Sequence, residues 1–235
     1  MWSGPRNIST ALMYSFRERS DTRVFDEPLY GHYLRVTDAV HPGEEEVLRV
    51  MDRDGERVVR DVLLGSCDTD VRFYKNMAHH LTNLNRDFLG EVTNLLLTRD
   101  PREMLLSLVN QLPQPTLRDT GLKEQVEILE VMLGRDETPV VLDAKEVLLN
   151  PRGVLEEVCR RLELPFEEGM LSWSAGPKPE DGVWAKYWYD SVHASTSFAP
   201  HRPKDEPLPE RLGYLLEECE GYYERLSAHV IRADV

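Results

Sequence analysis

The residues of this chain that could do chemistry sit in four short stretches. Near the start, Gly4-Pro5-Arg6-Asn7-Ile8-Ser9-Thr10 runs directly into a segment with apolar residues at Leu12, Met13 and Phe16. A turn that feeds a helix presents unsatisfied N–H groups aligned with the positive end of the helix dipole, an arrangement that holds phosphates. Ser9 and Thr10 add hydroxyl donors and Arg6 adds charge. Later, Arg99 ends an apolar run and Ser107 follows eight positions on. Arg99 offers a forked pair of N–H donors and Ser107, two helical turns on, a hydroxyl. Between these two stretches lie Asp26-Glu27 before Pro28, and Lys75 in "FYKNM". A carboxylate beside another carboxylate and out of water has a raised pKa, which suits a general base. Lys75 could neutralise charge that develops on a transferring group. The opening loop lacks a Gly-Lys pair where Ile8 and Ser9 stand, so it does not follow the pattern that cradles ATP or GTP.

Each stretch also has a purely structural reading. The opening segment could be a plain capped helix, and Arg99 could form a surface ion pair with Asp100 or Glu103. Asp26-Glu27 could be a polar strand end, and Lys75 a solvated lysine. The adjacent His79 and His80 point two ways from a helix or loop, with no Cys, Asp or Glu at ligand spacing, so no metal site is expected. His79 is expected on a helix surface, and His80 is the one of the pair open to a catalytic place. The stretch "DGVWAKYWYDSVHASTSF" collects Trp184, Tyr187, Trp188, Tyr189, His193 and Phe198. These rings can close a site or simply pack, and Lys186 is a further candidate phosphate contact.

Positioning these groups requires alternating strands and helices. The pattern predicts helices over 9–18, 44–53 and 121–134, a helix starting at Pro151 and ending before Pro165, and a last helix over about 210–226. It predicts strands over 22–28 and 70–76, a buried strand over 92–97 and another in "TPVVLDAKEVLLNP" over 138–151. Apolar runs such as Val92 to Leu97 mark strands covered on both faces. The implied fold is a three-layer α/β domain with a mainly parallel central sheet, its ligands beyond the carboxyl ends of the strands. Only Met1, Trp2 and Ser3 precede the first loop, so either the strand before it is very short or the chain lacks a few N-terminal residues. The segment 172–206, rich in Pro, Gly and aromatics, reads as a long loop or lid within a single domain over 1–235.

Of the 235 residues, 41% are hydrophobic and 30% charged, an ordinary balance for a globular chain. The formal charge of −14, from 28 basic against 42 acidic residues, disfavours a general nucleic-acid or anionic-membrane binder. Any anionic ligand must be held by a local cationic pocket against that field. Cys67, Cys159 and Cys219 are odd in number and far apart, which fits free thiols in a reducing compartment. With no signal-peptide pattern and no long apolar run, a cytoplasmic location is expected.

The stretch "SGPRNISTAL" resembles the 5′-phosphosulfate loop of the sulfotransferases that use 3′-phosphoadenosine 5′-phosphosulfate (PAPS), whose common form is P-K-S-G-T-T or P-R-S-G-T-T. Pro5, Arg6, Ser9 and Thr10 match, Asn7 replaces a serine, and Ile8 stands at the family's glycine. "TRDPREMLLSL" is similar to the family's 3′-phosphate site through Arg99 and Ser107, and "PVVLDAKEVLLNPRGVLEEVCRRLELPF" is similar to a later strand-loop-helix segment. Together the matches span residues 4 to 166 in pieces. The resemblance implies a P-loop-like fold and PAPS as co-substrate, with its phosphosulfate on Pro5, Arg6, Asn7, Ile8, Ser9 and Thr10. It also implies a base at Glu27, since Met77 stands where other branches of the family carry a histidine two residues after the lysine.

The expected function is therefore in-line sulfuryl transfer to a hydroxyl of a small molecule or carbohydrate. Glu27 is the base, Asp26 a substitute, and Arg6, Lys75 and His80 complete the catalytic set without a metal. Two other readings compete. One is a kinase-like phosphotransferase with Asp143 holding Mg²⁺. The other is a non-catalytic protein that binds the nucleotide bisphosphate.

Overall fold

The computed structural model describes residues 1–234 and is α/β. In chain order its main elements are β1 (Trp2–Ser3), α1 (Ser9–Arg17), β2 (Thr22–Asp26), α2 (Tyr30–Val36), α3 (Glu44–Val50), α4 (Gly55–Val58), β3 (Val71–Met77), β4 (Leu95–Thr98), α5 (Pro101–Leu108), α6 (Leu117–Thr120), α7 (Leu122–Gly134), β5 (Val140–Asp143), α8 (Ala144–Leu149), α9 (Pro151–Arg161), α10 (Ala185–Trp188), α11 (Asp190–His193) and α12 (Gly213–Ser227). Among the described residues no helix is long and apolar enough to cross a membrane.

Two compact units share these elements. The first comprises Met1, Ser9–Val92 and Glu167–Phe198; the second comprises Trp2–Ile8, Thr93–Phe166 and residues 199–234. In the first unit β2 and β3 pair in parallel, with Phe25 opposite Tyr74 and Asp26 opposite Lys75. Met1 lies along β3: its ammonium donates to the Tyr74 carbonyl (2.8 Å) and its carbonyl accepts from the Asn76 N–H (3.0 Å). In the second unit β1, β4 and β5 pair in parallel. Since Met1 leads directly into β1, the strand order is β2-β3-β1-β4-β5. This all-parallel sheet flanked by helices is the P-loop-like architecture expected.

The two residues of β1 have a specific support. Two residues of β1 cannot hold a register alone, but Gln125 of α7 donates to both the Trp2 carbonyl (3.0 Å) and the Leu97 carbonyl (2.7 Å). The indole of Trp2 donates to Asn94 at 2.9 Å. Gly4, just past β1, packs so closely that a Cβ there would meet the Thr120 carbonyl at 2.8 Å. The start of the loop after β1 is thereby fixed by groups far away in sequence.

The stretch 138–151, read as one buried strand, is β5 followed by α8, because the Asp143 side chain caps a helix there; the other predicted elements differ mainly at their ends. The strand expected over 22–28 stops at Asp26, because Glu27 turns into a left-handed conformation with φ of 45°. The helix expected to reach Pro165 closes at Arg161. The aromatic stretch, read as irregular, contains α10 and α11, and an isolated pairing of Ser172 with Ser197 spans its base.

Replacing Gln125 by leucine leaves the buried Trp2 carbonyl without its side-chain donor, while the Leu97 carbonyl keeps only the longer bond from the Asn7 amide (3.2 Å). An unsatisfied buried carbonyl costs roughly 1–3 kcal/mol. We expect Gln125→Leu to lower stability by about 2 kcal/mol, read as a drop of about 4–8 °C in the thermal midpoint.

Candidate active site

In the first unit the chemistry gathers at the carboxyl ends of β2 and β3. Asp26 closes β2, Glu27 follows it, and Lys75 stands opposite Asp26 on β3, with its side chain only 1% exposed. The Lys75 ammonium donates to Asp26 Oδ1 (2.9 Å), to Glu27 Oε1 and to the Tyr189 hydroxyl (2.6 Å), using all three of its protons. The Tyr189 hydroxyl lies 2.8–2.9 Å from both Asp26 oxygens and also accepts from the Trp184 indole at 3.2 Å. The Gly182 N–H donates to Asp26 Oδ2 at 3.0 Å.

Asp26 is thus held by three donors, whereas Glu27 has one. Burial is the main reason the Glu27 carboxyl is pushed up to about 7; Lys75 opposes that shift and Asp26 adds to it. Burial acts against the charge of Lys75, but Asp26 and Glu27 hold its pKa well above the lysine range. A buried carboxyl that ionises near neutral pH beside a fixed cation can accept a proton from a hydroxyl and stabilise the charge that develops.

Rings from α2 and from the aromatic stretch surround this centre. Tyr30 stacks on His80 with centroids 5.0 Å apart and planes within 7°, and meets Trp184 edge-on. Tyr33 lies 5.0 Å from His80. His80 and His79 are both buried, so the surface place expected for His79 is corrected. The turn Ala78–Leu81 folds them inward on leaving β3. Burial, followed by the neighbouring histidines and Lys75, holds His80 well below the usual histidine range, so its ring is neutral. Its Nε2 lies 3.9 Å from Glu27 Oε2.

The second unit carries the anion-binding candidates. The Arg6 Nε donates to Ser107 Oγ at 3.0 Å, and Arg99 Nη1 donates to the Arg6 carbonyl at 2.8 Å. Arg6 therefore forms one cluster with Arg99 and Ser107, which lie about a hundred positions further along the chain. Arg6 itself has φ of 53°, a conformation costly for a non-glycine residue, on the order of 1 kcal/mol. The left-handed turn of the loop thus falls on Arg6, while Ile8, at the glycine of the resembling motif, has ordinary φ. Asn7 stiffens the turn: its Oδ1 accepts from the Ile8 N–H (2.9 Å) and its Nδ2 donates to the Leu97 carbonyl (3.2 Å).

Arg99 also pairs with Glu103 at 2.9 Å, the structural alternative weighed for it, and His201 lies 3.0 Å from the same carboxylate. Among the described residues no carboxylate pairs with Arg6. Burial and the adjacent Arg99 lower the pKa of Arg6. Burial, then Arg99 with Arg6 adding to it, likewise lowers Lys204. Arg6, Arg99 and Lys204 crowd one another, with Glu103 and Glu206 as the carboxylates nearby, and an anion would relieve that crowding.

A family model described as "Sulfotransferase domain" matches residues 1–229. The chain belongs to this family. Two curated proteins of Arabidopsis thaliana, named branched-chain-amino-acid aminotransferase-like proteins 1 and 2, are 40% and 37% identical over 230 residues. The match covers 97% of this chain but 41% of each of those proteins, so the chain spans about two-fifths of their length. Among solved structures, the sulfotransferase domain from the curacin biosynthetic pathway superposes with a TM-score of 0.53 at 15% identity, covering 98% of this chain and 97% of that one. A sulfotransferase from Alicyclobacillus acidocaldarius gives 0.54 at 15%, covering 99% and 94%. At such identity these two share the fold.

Within this sulfotransferase domain several residues had no distinct sequence signal. Tyr189 was one ring among six, and its contact with Asp26 bridges 163 positions. Lys204 and His201 had only the local signal of a basic run, "HRPK", in an acidic chain. Lys186 lies elsewhere: it is exposed and paired with Glu46. Asp143, the carboxylate of the kinase reading, caps α8 through the Lys145 N–H (2.7 Å) and accepts from Tyr223 at 2.9 Å. Among the described residues no cluster of His, Cys, Asp or Glu is arranged to hold a metal ion.

Removing the shared cation leaves two buried carboxylates facing each other. Lys75→Met is expected to cost about 3–5 kcal/mol at pH 8, the range for breaking one partner out of a buried pair. The loss should shrink at pH 5.5, where the carboxylates take up protons and shed their charge. Urea midpoints of variant and parent at the two pH values check this.

Proposed function

We propose that the domain transfers the sulfuryl group of PAPS to a hydroxyl of a small molecule or carbohydrate, with Glu27 as general base. The observation that carries this reading is the joining of the two anion motifs: Arg6 of the first loop hydrogen-bonds Ser107, and Arg99 hydrogen-bonds Arg6. A donor with phosphate at both its 3′ and 5′ positions needs two anion seats held in register, and a cluster linking the loop to the start of α5 supplies that register.

In this reading Arg99 and Ser107 take the 3′-phosphate, with Lys204 as a further cation, and Arg6 meets the charge of the 5′-phosphosulfate. Pro5 and the N–H groups over Asn7, Ile8, Ser9 and Thr10 shape the seat of the 5′-phosphosulfate at the start of α1. Glu103, which occupies Arg99, is displaced by the phosphate. Glu27 takes the proton of the acceptor hydroxyl as its oxygen attacks sulfur, the bond from sulfur to the 5′-phosphate oxygen breaks, and adenosine 3′,5′-bisphosphate leaves. Lys75 meets the charge on the sulfuryl oxygens. Lys186, engaged by Glu46, takes no part, and the aminotransferase-like names of the relatives concern proteins more than twice as long.

Calorimetric titration with adenosine 3′,5′-bisphosphate tests the donor site. Micromolar binding is expected, weakened at least tenfold by Arg99→Ala, which corresponds to about 1.4 kcal/mol or more. Absence of binding, or tighter binding of ATP with Mg²⁺, rejects the reading in favour of the kinase one.

The base has its own signature. Glu27 is faced by Lys75 and Asp26 from the strands, by Tyr30 from α2 and by His80 from the following turn. Protonated Glu27 cannot accept a proton, so kcat/KM should rise with pH through about 7 and level above it. Glu27→Gln should lower kcat by about 10²–10⁴ and remove that limb of the profile.

A further inference from the structure

Glu27 Oε2 and His80 Nε2 face each other at 3.9 Å, too far for a hydrogen bond between them. Glu27 meets Lys75 through its other oxygen. Among the described residues neither Oε2 nor Nε2 has a hydrogen-bond partner, although both side chains are at least nine-tenths buried. Two polar atoms open toward one another at this distance can share a third group between them.

The width of the gap limits what that group can be. One oxygen atom about 2.8 Å from each fits between atoms 3.9 Å apart, with an angle near 90° at the bridging oxygen. A hydroxyl oxygen there, with its single proton, donates to one neighbour and accepts from the other. The carboxylate can only accept when ionised, so it must receive the bridging proton. His80 must then be the donor, through a proton on Nε2.

Its surroundings favour that form. His80 Nδ1 is buried with no partner, so a proton there would be stranded, whereas a proton on Nε2 points toward a carboxylate. The ring is fixed between Tyr30 and Tyr33 and is neutral, so it cannot swing away or compete with Glu27 for the proton.

We infer that His80 is a second catalytic residue: its Nε2–H donates to the acceptor's hydroxyl oxygen and seats that oxygen between itself and Glu27 Oε2. The inference rests on the sulfuryl-transfer reading above. In the transfer step the O–H bond breaks and its proton goes to Glu27 Oε2. The same oxygen forms the new O–S bond with PAPS, and the electron pair of the broken S–O bond leaves with the 5′-phosphate. His80 keeps its proton throughout. It aims the oxygen's remaining lone pair and takes no part in the proton balance. A hydroxyl, which both donates and accepts, satisfies the seat; a protonated amine, which only donates, does not.

Two measurements test this. Nitrogen-15 spectra of the histidine-labelled protein report the tautomer of His80 without any acceptor, with His80→Phe assigning the signal. The expected result is a neutral ring protonated on Nε2 from pH 6 to 8; a ring protonated on Nδ1, or a charged one, overturns the inference. The second measurement is release of adenosine 3′,5′-bisphosphate from PAPS with water as the acceptor oxygen, which needs no identified substrate. His80→Phe should slow it at least tenfold while leaving the affinity for adenosine 3′,5′-bisphosphate within twofold. His80→Gln, whose amide N–H can reach the same place, should recover part of the rate. A phenylalanine variant as fast as the parent, where Glu27→Gln is slow, overturns the role of His80 alone. Failure to bind the bisphosphate at all instead defeats the underlying functional reading, and the tautomer still decides the form of His80.

Discussion

One ammonium shared by two buried carboxylates organises the first unit. Lys75 has three protons and spends them on Asp26, Glu27 and Tyr189, and every neighbouring element is placed by that division. β2 and β3 must stay in the register that sets Asp26 opposite Lys75. The aromatic stretch must return so that Tyr189 reaches Asp26, Trp184 reaches Tyr189, and the Gly182 N–H completes the shell. The charges do not cancel: one cation against two carboxylates leaves a negative remainder. Because Asp26 collects most of the donors, the less supported Glu27 is the one whose charge burial penalises. A reactive carboxyl follows from an uneven distribution of hydrogen bonds between adjacent residues.

Backbone strain marks the same residues. Arg6 and Glu27 both adopt positive φ without being glycine, and each lies just past the end of a strand, β1 for one and β2 for the other. Left-handed backbone turns the side chain out of the strand's alternation, which is how a residue at a strand end is aimed beyond the sheet. Glu27 is held there by its N–H donating to the Lys75 carbonyl (2.7 Å) and its own carbonyl accepting from Tyr30 (2.9 Å). Arg6 is held by Arg99 at its carbonyl and by Ser107 at its side chain. In both cases the conformational cost is offset by residues that belong to the site.

The sequence carried the architecture because parallel strands buried on both faces write continuous apolar runs, as in Leu95 to Leu97 and Val140 to Leu142. It also carried the order of the motifs, since a phosphate loop and a strand-ending arginine are local patterns. Contacts that depend on folding were not legible. Nothing local tells Tyr189 apart from Tyr187, yet one is buried on Asp26 and the other is 41% exposed. The histidine pair read as half exposed because two neighbours on a regular helix diverge; on a tight turn after β3 both fold inward. The shortness of β1 was visible at once, but its remedy, a glutamine bonded to two strands, lies more than a hundred residues away.

The most direct test of this account is the titration of the Glu27 carboxyl itself. Carbon-13 labelling of glutamate side chains, with Glu27→Gln to assign the signal, follows that group by NMR across pH 4 to 9. The account predicts a midpoint near 7, moving when Lys75 or Asp26 is replaced. A midpoint near 4.5, the ordinary value for a glutamate, would contradict it. Glu27 would then be a fully compensated partner of Lys75, with no proton-accepting role near neutral pH.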